Sequence, residues 1–117
     1  MRALERGYGQ SVDLTTAFVR SETDGELEIV VNFGPLSGRE ATLAEVDRLA
    51  RRLLATVDDV RVHAIRTHDV SAVSETILHQ VVVEAAAPAA TAETLRDVCE
   101  SWAADCAAER SLEPLGF

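Results

Sequence analysis

The chain has 117 residues, 47 % of them hydrophobic and 26 % charged, with a formal net charge of −9. That length and balance describe one domain that buries its own core, and exclude a disordered chain. No basic stripe offers a nucleic-acid surface, and no apolar run approaches the roughly 18 to 20 residues of a membrane span.

Met1–Gln10 lacks the apolar stretch of a secretory signal, so a cytoplasmic location is expected. Every basic side chain is arginine, which with the abundant alanine fits codon bias in a GC-rich genome. The absence of lysine rules out Schiff-base chemistry and a P-loop lysine. The only cysteines, Cys99 and Cys106, stand seven apart on the apolar stripe of one expected helix. Seven helical residues rise about 10 Å, too far for a disulfide, so buried core thiols are expected.

Residues 1–11 read as irregular. Val12–Arg20 then alternates, with Val12, Leu14, Thr16 and Phe18 on one face, and Glu26–Phe33 places Leu27, Ile29, Val31 and Phe33 together. Asp24-Gly25 between these strands is a strong hairpin signal. A turn centred there pairs Phe18 with Val31 on one apolar face. The segment from Gly34 to Gly38 breaks the strand. Thr42 and Glu45 then form a capping box, followed by Leu43, Val46, Leu49, Ala50, Leu53, Leu54 and Val57 at helical spacing.

Val60 to His68 and Thr76 to Glu84 read as a second strand pair, joined by the polar Asp69–Ser74. After a break containing Pro88, Thr91 is expected to cap a helix with Glu93 in its first turn. Leu95, Val98, Cys99, Trp102, Ala103 and Cys106 make its stripe, and residues 111–117 form a tail with Pro114. The expected fold is therefore one α+β domain over 1–117. It is a two-layer sandwich of a four-stranded antiparallel sheet with two helices on one face, in the order ββαββα. From Glu26 through Cys106, the order of elements resembles ferredoxin-like α/β-plait domains. The plait's final strand is missing and an extra strand precedes the first.

Two helices cover one sheet face only. On the other, Val19, Val30, Ile65, Leu78 and Val82 lie among Glu28, Asn32, His63, Gln80 and Glu84, an apolar centre with a polar rim. Such a face suits an isologous homodimer joined sheet to sheet. His63, His68 and His79 all belong to the second hairpin. A register that sets His63 opposite His79, with Glu75 or Glu84 nearby, would give a metal or acid–base site, whereas a one-residue slip separates them. Ser37, Gly38 and Arg39 precede a helix N-terminus and suit a small anionic ligand, although their spacing is not that of a P-loop.

Asp58-Asp59 point to opposite sides of a strand, and the run Glu22, Asp24, Glu26 and Glu28 reads as the solvated edge of a hairpin. No nucleophile elbow marks Ser71 or Ser74. The function expected is a non-catalytic homodimer that binds a partner protein or small ligand, with no cofactor or metal. The alternative is a small enzyme or metal protein built on His63, His79 and Glu84.

Overall fold

The computed structural model describes residues 16–23, 25–37 and 39–112. Four strands, β1 (Ala17–Thr23), β2 (Glu26–Val31), β3 (Val60–Val70) and β4 (Glu75–Ala85), form one antiparallel sheet in the order β1-β2-β4-β3. Three helices, α1 (Phe33–Ser37), α2 (Leu43–Leu53) and α3 (Ala92–Leu112), complete the expected α+β sandwich. The slab measures 45 × 45 × 19 Å, so its short dimension accommodates only the sheet and one helix layer.

Alternation in β2 and β4 builds the core. Leu27, Ile29 and Val31 meet Val81, Val83 and Ala85 on the inner face, beneath Leu49 and Leu53 of α2 and Leu95, Cys99 and Trp102 of α3. The capping box forms as the sequence dictates: the Glu45 amide donates to Thr42 Oγ1 at 3.1 Å, and the Thr42 amide to Glu45 Oε1 at 2.9 Å. The expected stripe fails at Leu43 and Leu54, 85 % and 49 % exposed, whereas Val57 at its far end is buried. The other expected cap is different. Thr91 lies inside a 3-10 turn (Ala89–Thr91) and its hydroxyl donates to the Pro88 carbonyl, so α3 begins at Ala92 without it.

The strand break after β2 is also more ordered than expected. Phe33–Ser37 makes a short helix that accepts Pro35 because a first-turn residue needs no helical amide bond. Phe33 leaves the strand and stacks on Trp102, ring centroids 5.1 Å apart. Gly34 then passes so close to β4 that a Cβ there would stand 3.1–3.2 Å from His79 atoms, backbone N and O among them.

The first hairpin corrects the expected pairing. Near the turn, where Gly25 has φ 83°, Thr23 pairs with Glu26 and Glu22 with Leu27, as the Asp24-Gly25 signal requires. A β-bulge then inserts Arg20 between Val19 and Ser21. The extra residue reverses the alternation, so Val19 pairs with Ile29 facing the helices and Phe18 pairs with Val30 on the outer face. The expected pairing of Phe18 with Val31 is lost, Ala17 standing opposite Val31 instead, while Val12 and Leu14 fall outside the described residues.

Candidate functional site

The outer sheet face is organised in rows that run across the strands. One row is Phe18, Val30, Val82 and His63; the next toward the Gly25 end is Ser21, Glu28, Glu84 and Arg61. The five residues expected to form an apolar interface do not share one exposed patch. Val19 packs against the helix-side core because of the bulge. Val30 and Val82 lie in the two central strands and are fully buried. Ile65 and Leu78 alone stay partly exposed, beyond the end of β2.

Glu28 and Glu84 stand directly opposite each other on neighbouring strands, an unfavourable pairing unless compensated. Two arginines compensate it. Arg20, released by the bulge, donates from Nε to Glu28 Oε1 at 2.8 Å, and Arg61 lies 3.6 Å from Glu84. The bond from Arg20 holds the Glu28 carboxyl below the usual glutamate range despite the opposing cost of burial, so it stays ionised near neutral pH. Glu28, Glu84 and Arg61 border an open depression of about 520 Å³ that also reaches Glu26 and Asp59. Neither histidine nor cysteine lines it.

The histidines do not meet. The second hairpin pairs His63 with Val82, Arg66 with His79 and His68 with Ile77, three positions away from the register that would join His63 to His79. The odd displacement puts His63 on the outer face and His79 on the inner one, beside α1. His79 Nδ1 is buried without a hydrogen-bond partner, whereas His68 near the hairpin tip bonds Glu75 through Nε2. Glu84 lies on the same face as His63 but has Arg61 directly opposite it. Among the described residues no group of three or more His, Cys, Asp or Glu converges on a metal position. Ser71 Oγ accepts the amide of Ser74 and closes the hairpin loop instead of facing a base.

Of the anion-site residues, Gly38 and the Ser37 side chain lie outside the described residues. Arg39 lies 3.9 Å from the Glu45 carboxylate, which also pairs with Arg110, so a carboxylate already occupies the cationic end of this loop. Sequence reading missed that helix-layer cluster. Burial pushes the Glu45 carboxyl up, but the Thr42 amide and the Arg110 guanidinium outweigh it and hold Glu45 below its ordinary value. The Arg110 guanidinium carbon rests 4.7 Å from the Phe33 ring centroid, and Trp102 Nε1 donates to the Glu45 carbonyl at 2.9 Å. Arg48 grips Glu109 with two bonds and touches Cys106 Sγ, and Arg52 pairs with Asp105. The helical charge spacing was visible in the sequence; the partner helix was not.

The chain matches no protein-family description, no curated protein and no solved structure. Among the described residues, no helix is long and apolar enough to cross a membrane.

Proposed function

We propose that this protein is a non-catalytic homodimer that binds a partner protein or a small ligand in a regulatory or accessory role. The observation that carries this reading is the β3–β4 hairpin. It runs past the end of β2 as a two-stranded arm and leaves Val70 69 %, Val73 93 % and Ile77 51 % exposed. A two-stranded ribbon is marginal by itself in water, and exposed aliphatic side chains on it favour a contact with another chain. The dispersal of His63, His79 and Glu84 over two faces supports a binding role over the enzyme or metal alternative. The likeness to a ferredoxin-like plait gains support from β4 lying between the parallel strands β2 and β3, the split β-α-β arrangement.

Light scattering or sedimentation at micromolar concentration tests the reading and is expected to give a dimer mass. A strict monomer there overturns it. Val30 is a poor probe of the contact, because a charge at a fully buried position unfolds the sheet; Ile65→Arg on the arm is the informative change.

A further inference from the structure

We infer that the second copy docks along the edge of β3 that pairs with no other strand among the described residues, pairing β3 with β3 antiparallel about a two-fold axis at Ile65 and joining two sheets into one of eight strands. This rests on the homodimer reading and names its surface. The sheet has two edges, and they differ. β1 is interrupted by the bulge at Arg20, a device that spoils further pairing. β3 is the other edge, and its eleven residues pair with β4 without a shift from Val60–Ala85 to Val70–Glu75. It contains no proline, glycine or bulge, so its outward amides and carbonyls form an unbroken template.

The residues along that edge are self-complementary. With Ile65 opposite Ile65 of the partner subunit, Arg61 faces the partner's Asp69, Asp69 faces the partner's Arg61, and Val60 and Val70 meet at both ends. All eleven residues are used, because Ile65 is the midpoint of the strand. The neighbouring symmetric registers are poorer: an axis at Ala64 pairs no opposite charges, and one at Arg66 sets arginine against arginine. Arg61 and Asp69 lie on the same face of β3, so the paired sheets continue with their helix layers on one side. The Asp69 side chain has no hydrogen bond or ion pair among the described residues, and that of Arg61, 77 % exposed, makes only the 3.6 Å contact with Glu84 among them.

The arrangement also supports the arm. Residues 65–70 of one copy would lie against residues 60–65 of the other, where β3 is backed by β4 and β2. Each marginal ribbon becomes part of a wider sheet. Val70 reaches the partner's Val60, six residues after the exposed Leu54 at the end of α2.

Charge reversal tests this. Arg61→Asp and Asp69→Arg each place two like-charged pairs across the axis, and each is expected to raise the dimer Kd about tenfold in low salt. Mixing the two variants restores both attractive pairs, so the heterodimer is expected to regain wild-type affinity. Circular dichroism checks that each variant is folded. Hydrogen exchange on the wild type adds a readout that needs no substitution: alternate β3 amides lose protection on dilution while those of β1 do not. A wild-type dimer unaffected by the reversals, a mixture that fails to recover, or protection moving to β1 overturns the β3 pairing and leaves the homodimer reading standing. A wild-type monomer overturns both. Protection of β3 only when another protein is added assigns the edge to a different partner and likewise overturns the pairing of copies.

Discussion

Glu45 joins three parts of the helix layer. Its carboxylate accepts the Thr42 amide and pairs with Arg110, while its carbonyl accepts the Trp102 indole. Its side chain and that of Arg110 are only 14 % and 10 % exposed, so solvent screens the pair weakly. Glu45→Gln is expected to cost about 2 kcal/mol near neutral pH, the scale of a charged hydrogen bond. The folded-state pKa lies below the unfolded one, so the carboxylate's contribution is complete above the ordinary glutamate value of 4.5. It is lost as the pH falls through the lower folded value. Urea denaturation of variant and wild type shows this as a gap present near pH 7 that narrows at a pH well below 4.5. A gap of equal size at both would refute the ionic role. The capping box behind this site is a local pattern and was legible in the sequence. Its pairing with Arg110, 65 residues further along the chain, depends on how α2 and α3 cross.

Two positions at the ends of elements separate helix propensity from packing. Thr42→Ala removes one bond of the capping box and is expected to cost about 1 kcal/mol, the usual value for such a cap. Gly34→Ala improves helix propensity within α1, yet its methyl group would press on the His79 backbone of β4, which cannot rotate away as a side chain can. It is expected to destabilise by about 1–3 kcal/mol, measured as a lower urea midpoint. A midpoint equal to or above wild type would show that α1 does not seat on β4 as described. The glycine was visible in the sequence as a strand breaker; its close approach to a strand 45 residues away was not.

At the scale of the whole molecule, both cysteines lie in the one core between sheet and helices. Burial pushes the Cys99 thiol up to about 12 and raises that of Cys106, against the smaller opposing effect of Arg48. A thiol reagent near pH 8 is therefore expected to leave the native protein unmodified for hours and to label both residues once denaturant is added. Rapid labelling of Cys106 alone would show that α3 opens locally at its C-terminal half.

The sequence by itself determined the elements: two strand pairs, a capped helix, an apolar second helix and the two buried thiols. These follow from contacts within a few residues, where turn chemistry, capping and hydrophobic period act directly. Tertiary structure decided what faces what. A single inserted residue at Arg20 exchanged Phe18 for Val19 on the core side, and the longer 71–74 loop set a register that parts His63 from His79. Side chains in a strand alternate with a period of two. Any odd shift moves them to the other face, and that shift is settled by packing across the sheet.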